Sequence, residues 1–172
     1  MQASERTEYV DFVSSRLPAL RRLAYGLCGD WHRADDLIQT TLTKVYLHWS
    51  SIRKVNDVDR YVRAIVVKAY LSELRLGWAS RVRLVAETPD SAAPAGREIE
   101  DREVLNRALD QLPRKQRAVL VLRFVCDLGI PEVAEIMHCS PGTVKSQTFH
   151  GLASLRRRLD EVAYPVVPGR QS

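Results

Sequence analysis

Seven side chains near the C-terminal end of the sequence, Thr143, Lys145, Ser146, Gln147, Phe149, His150 and Arg156, have types and spacing suited to one kind of chemistry. Lys and Arg neutralise phosphates, Gln can pair bidentately with an adenine edge, and Thr or Phe can touch a thymine methyl. Together they would read duplex DNA without making or breaking a covalent bond. A second group, Asp35, Asp36 and Gln39, lies in the opening turns of a predicted helix. The helix macrodipole favours carboxylates there for purely structural reasons, so their position names no partner. A third set, Lys68, Tyr70, Ser72 and Arg75, mixes an aromatic ring with cations that could meet a DNA strand. Stacking on an unpaired base contributes about 1–3 kcal/mol. Taken singly, Tyr61, Tyr70 and Trp78 read first as core residues.

No pattern points to catalysis. The sequence has neither a nucleophile with a base at a telling spacing nor a phosphate-binding glycine loop, and His32, His48, His138 and His150 are scattered. Cys28, Cys126 and Cys139 are odd in number and lack CxxC spacing, which supports neither a disulfide framework nor a zinc site. No catalytic residue, metal or cofactor is expected, and the thiols are expected to be reduced. A net charge of +5 and a pI near 9.3 suit a polyanionic partner. No apolar run approaches a membrane span and the polar N-terminus lacks a signal-peptide core, so a cytoplasmic location is expected.

The elements that must position these groups are all predicted helices. Leu112 to Leu159 reads as a helix-turn-helix. Its first helix has Pro113 at a first helical position and Val119, Leu120, Leu122, Phe124 and Val125 at mostly helical spacing. A short helix from Pro131 to Met137 buries Val133, Ala134, Ile136 and Met137. The third is capped by Ser140, opens on Pro141 and turns Val144, Thr148, Leu152, Leu155 and Leu159 inward. His138 occupies the turn, where a left-handed conformation is usual and His tolerates it better than most residues. Gly151 falls in mid-helix, at a cost of about 1 kcal/mol relative to Ala.

Upstream, Leu17, Leu20, Leu23, Ala24 and Leu27 form one stripe before a break at Gly29-Asp30, where Asp30 can cap the next helix. That helix turns Ala34, Leu37, Ile38, Thr41, Leu42, Val45 and Trp49 to one side. A further helix over about 58–76 buries Val58, Tyr61, Val62, Ile65, Val66 and Ala69, displays Arg60 and Arg63, and carries Val67 and Leu71 on its opposite side. A helix apolar on two faces packs between neighbours. Between Leu84 and Glu103 six acidic residues face two basic ones, and Pro, Gly and small residues interrupt every periodic pattern. That segment is either a solvated spacer or an acidic strand for a channel built for nucleic acid. The predicted architecture is all-α: a helical unit over 1–83, an acidic flexible linker over 84–103, a helix-turn-helix unit over 104–162 and a tail over 163–172.

Three of these segments, in order, resemble the sigma-70 superfamily of bacterial RNA polymerase initiation factors, within it the small extracytoplasmic-function group. Gly26 to Gln39 is similar to the group's region 2 and its polymerase-binding helix, and Leu109 to Leu120 to the opening of region 4. Cys139 to Thr148 is similar to the promoter-reading helix, its Lys-Ser-Gln-Thr resembling an actinobacterial sigma-E-like subgroup. The resemblance implies core polymerase contacts at Asp35, Asp36, Leu37 and Gln39. It implies a base-capturing loop at Asn56 and an opened minus-10 strand held by Arg63, Lys68, Tyr70 and Arg75. Thr143 to His150 would read the minus-35 duplex, and core RNA polymerase, promoter DNA and an anti-sigma factor would be the partners. Gln147 stands where many members have Arg, Phe149-His150 where many have His-Arg, Lys68 where Asn is frequent and Thr148 where Leu is frequent. The residues by themselves also fit an autonomous dimeric helix-turn-helix regulator, which would need neither the acidic pair nor the acidic linker.

Overall fold

The computed structural model describes residues 3–72 and 97–163, and every regular element among them is helical. The N-terminal unit contains α1 (Ala3–Cys28), α2 (Trp31–Leu47), the single turn α3 (Trp49–Ile52) and α4 (Val58–Ser72). Gly29, at a φ of +72°, ends α1 in the left-handed region that glycine enters freely. Asp30 then caps α2, its carboxylate accepting from the Arg33 amide at 2.9 Å as its residue type predicts. Asp57 does the same for α4 through the Arg60 amide. Leu20, Leu23, Ala24 and Leu27 of α1 meet Ala34, Leu37, Ile38, Thr41 and Val45 of α2, with Val62 and Val66 of α4 closing the core.

The C-terminal unit contains α5 (Arg97–Asp110), α6 (Arg114–Leu120), a π-helical turn Val121–Val125, α7 (Ile130–Met137) and α8 (Pro141–Ala163). Because α5 begins at Arg97, the last seven residues expected in the linker are helical instead; residues 84–96, with Arg75 and Trp78, lie outside the described residues. Pro113 is the residue before α6, not its first, with an extended ψ of 136°. The π-helical turn widens the ladder so that the Cys126 amide reaches the Val121 carbonyl, which buries Val121 and Leu122 but leaves Phe124 and Val125 exposed. Met137 is half-buried.

Ser140 caps α8 through the Thr143 amide at 3.1 Å, and Pro141 opens it. The inward stripe of α8 departs from expectation at one turn. Gly151 is buried and Leu152 exposed, because Leu120 lies where a side chain on Gly151 would go, 3.2 Å from its ideal Cβ. The mid-helix glycine is thus explained by close approach to α6. His138 turns the chain between α7 and α8 at φ 50° and ψ 49°, a conformation that strains L residues by about 1–2 kcal/mol. His138→Gly is expected to raise stability by about 1 kcal/mol in urea unfolding. An unchanged midpoint would mean that the turn holds no strain.

The two units pack directly on each other. A single apolar cluster runs from Leu23, Leu27 and Val62 into Val119, Val121, Leu122, Val133 and Val144. Val67 and Tyr70, on the second apolar side of α4, are buried. Tyr61, expected in the core, is exposed. Among the described residues no helix is long and apolar enough to cross a membrane.

Candidate nucleic-acid and protein interfaces

Three surfaces carry the residues singled out by sequence. On α8, Thr143, Lys145, Ser146, Phe149, His150 and Arg156 are exposed and Gln147 is half-buried. Phe149, at 70% exposure, contacts His150 edge-on, the ring centroids 5.4 Å apart. The hydroxyl of Thr143 lies 2.9 Å from that of Ser140, so this residue is shared between the cap and the outward face. Thr148 donates to the Val144 carbonyl at 2.7 Å and thereby places its polar atom on its own helix. The result is a firmly capped helix with donors, one fixed cation and an aromatic ring projecting from its first three turns, the form that enters a major groove.

On α2, Asp36 and Gln39 are exposed and Asp35 is half-buried. Asp35 is already engaged: Arg21 grips it with two hydrogen bonds, at 2.9 and 3.1 Å. The same guanidinium lies 5.2 Å from the ring of Trp31, which stacks on Tyr25 at 4.2 Å. Leu37 corrects an expectation. It is 2% exposed, because its position on α2 is one with Ala34, Ile38 and Thr41 on the α1 side. Leu37 therefore supports this surface from beneath and offers no contact.

On α4 and the loop before it, Asn56 and Lys68 are exposed. Asn56 and Tyr61 line a cleft of about 470 Å³ together with Glu135 of α7 and His138 of the turn after it. Arg63 is half-buried and donates to Asp59 at 2.7 Å, one turn back on α4. Tyr70, expected beside a DNA strand, is only 3% exposed. The Arg114 guanidinium lies over its ring at 4.5 Å and donates to its carbonyl, so the C-terminal unit covers it. Burial pushes the Tyr70 hydroxyl above its ordinary pKa, against the pull of Arg117 and Arg114. Burial likewise raises the Cys126 thiol, which lies near Arg63 and Arg22.

The residues that sequence reasoning passed over are those that join the units. Arg117, one cation among several in α6, is buried, donating from Nε to the Gly26 carbonyl at 2.9 Å and from Nη1 to Asp110. Arg60 pairs with Glu135 across the same boundary. Partners so distant in sequence leave no periodic trace; only an arginine at an otherwise buried helical position hints at it. Among the described residues no group of three or more His, Cys, Asp or Glu could hold a metal ion.

Comparison with known proteins places both units. The Sigma-70 region 2 family model matches residues 12–79 and the Sigma-70, region 4 model matches residues 102–155. The RNA polymerase sigma-E factor of Streptomyces antibioticus is 34% identical over 166 residues, spanning 93% of this chain and 89% of its own. That of Streptomyces coelicolor is 34% identical over 161 residues, spanning 90% and 88%. Among solved structures, the sigma factor RpoE in complex with the anti-sigma factor NepR from Bartonella quintana has a similar fold, with a TM-score of 0.68 at 24% identity, over 93% of this chain and 99% of that one. CnrH in complex with the cytosolic domain of CnrY has a TM-score of 0.63 at 20% identity, over 90% and 89%.

Proposed function

Because this chain belongs to the sigma-70 family of RNA polymerase initiation factors, in its extracytoplasmic-function group, we propose that its three surfaces divide one task, the recruitment of core polymerase to a promoter and the opening of the DNA there. It acts in the cytoplasm, by binding alone; the chemistry of RNA synthesis is the polymerase's. Residues 1–83 form the unit for core polymerase and the minus-10 element, and the C-terminal unit, from α5 to α8, the unit for the minus-35 element. Asp35, Asp36 and Gln39 of α2 meet basic residues of core polymerase. Asn56 captures a base flipped from the minus-10 element, and Arg63, Lys68 and Arg75 hold the opened strand. Extracting a base costs a few kcal/mol, so a loop that accepts only the right one reads and melts DNA together. Thr143, Lys145, Ser146, Gln147, Phe149, His150 and Arg156 read the minus-35 duplex. An anti-sigma factor restrains the chain, as one binds the fold neighbour from Bartonella.

The observation that carries this reading is the outward face of α8, a Ser-capped helix that follows a tight turn and presents Lys145, Ser146, Phe149 and His150 to solvent. Transcription of a fragmented genomic library by core polymerase, with and without the chain, tests it. Tight association and new discrete start sites are expected. Failure to bind a competent core, with duplex DNA binding retained, would transfer the assignment to an autonomous dimeric regulator.

Lys145 and Gln147 should separate position from sequence. Lys145→Ala is expected to weaken every promoter similarly and to make the salt dependence shallower by about one unit of log slope. Gln147→Ala should relax discrimination at one minus-35 position by about 1–3 kcal/mol. Equal base discrimination before and after the Gln147 change, in competition binding, would remove Gln147 from the readout.

A further inference from the structure

The loop that carries Asn56 is held by a part of α1 that lies before the family pattern. Residues 3–11 of α1 precede the segment matched by the Sigma-70 region 2 model, which begins at residue 12, yet three of them reach α3 or the loop after it. Arg53 directly follows α3. Its Nη2 and Nε face the two carboxylate oxygens of Glu8, each at 2.8 Å, and its Nη1 donates to Glu5 at 3.2 Å. Tyr9 meets the ring of Trp49 edge-on, the centroids 5.4 Å apart, and donates its hydroxyl to the Leu42 carbonyl at 3.1 Å. From this arrangement, and resting on the base-capturing role proposed above for Asn56, we infer that Arg53 is a positioning residue: clamped by Glu5 and Glu8, it fixes the loop that presents Asn56 to the flipped base. Arg53 itself touches no DNA.

The loop over residues 53–57 is short and fastened at both ends. At its start the amides of Arg53, Lys54 and Val55 donate back to the carbonyls of Trp49, Ser51 and Ile52, and Trp49 and Ile52 are buried. At its end Asp57 caps α4 through the Arg60 amide. Asn56 stands exposed between these anchors. The clamp on Arg53 ties the loop to residues 45 and 48 positions away in sequence. A lone exposed ion pair contributes little, but a two-pronged guanidinium grip on one carboxylate, with a second carboxylate beside it, forms a network of fixed geometry. The same engagement decides what Arg53 does not do. Two carboxylates answer its charge, so it brings no net positive charge to a phosphate, whereas Lys54 beside it is exposed. A loop already held in its capturing form gives up less freedom when the base enters. Ordering one loop residue at that moment lowers affinity about tenfold.

The test uses the full chain with core polymerase, on a promoter recovered from the genomic library and randomised over its minus-10 element, the transcribed templates being read by sequencing. Asn56→Ala identifies the captured base as the position whose preference it flattens. Arg53→Met, and independently Glu5→Gln with Glu8→Gln, are expected to weaken the preference at that same position by about tenfold. Core affinity, minus-35 preference and circular dichroism should match wild type, which a general loss of structure would not spare. The glutamine pair keeps Arg53 and every buried residue in place, and so decides the matter should Arg53→Met fail to fold. If the glutamine pair instead strengthens binding to every sequence and steepens the salt dependence, Arg53 is a phosphate contact and the positioning role is overturned. Wild-type preference in either folded variant, beside a flattened one in Asn56→Ala, would overturn it too while leaving base capture by Asn56 intact. Failure of Asn56→Ala to flatten any position would remove base capture itself, and the role of Arg53 with it.

Discussion

Core polymerase is expected to release a chain in which Asp35 and Asp36 are both changed to lysine, with a loss of about 2–5 kcal/mol, while the chain stays folded. The size follows from the kind of contact. Carboxylates that meet cations in a partly desolvated interface lose their attraction on neutralisation and add repulsion on reversal. Folding should survive because α2 draws its stability from elsewhere: Asp30 supplies the cap, and Ala34, Leu37, Ile38 and Val45 supply the buried face. Within the chain the double change breaks the exposed pair of Asp35 with Arg21, and exposed pairs contribute about 0–1 kcal/mol. Asp36, which faces solvent and is free to meet a partner, should account for most of the effect on its own. Calorimetry or anisotropy against purified core would measure it, with thermal unfolding as the control. Undiminished affinity in the double variant would take the docking role away from α2.

Leu37→Ala is expected to act in the opposite manner, lowering stability by about 2–5 kcal/mol through reduced burial and the cavity left behind. Leu37 neighbours Asp36 in sequence, yet the turn of about 100° between successive residues of α2 sends one into the core and leaves the other in water. A domain of ordinary stability holds about 5–15 kcal/mol, so the variant should unfold well below the wild-type midpoint. Polymerase affinity, measured below that midpoint, should change little. A variant with the wild-type melting temperature and weakened polymerase binding would return Leu37 to the docking surface.

Asp36 and Leu37 together show which parts of this protein are legible from residues alone. Helix identities, the Asp30 and Ser140 caps and the left-handed His138 are readable because each depends on residues within about one helical turn, and spacing encodes such contacts directly. The outward face of α8 is readable for the same reason, apart from one turn. There the demand of Leu120 for space at Gly151 shifts the stripe by one residue and puts Leu152 outside. The two apolar sides of α4 are also visible, and with them the need for neighbours on both. What the second neighbour would be is not.

Sequence by itself therefore determined an all-helical chain, its two units and the residue types offered to DNA and to a protein partner, since local propensity, capping and periodicity act over one or two helical turns. Only the tertiary structure decided that Tyr70 lies under Arg114 from 44 residues away and that Arg117 reaches the Gly26 carbonyl across 91. It also decided that Leu37 faces inward although it sits within the motif proposed to dock on polymerase. Those outcomes depend on how two finished helical units fit, where a glycine permits one backbone to approach another and a buried guanidinium finds a carbonyl. No period in the sequence records a contact of that range.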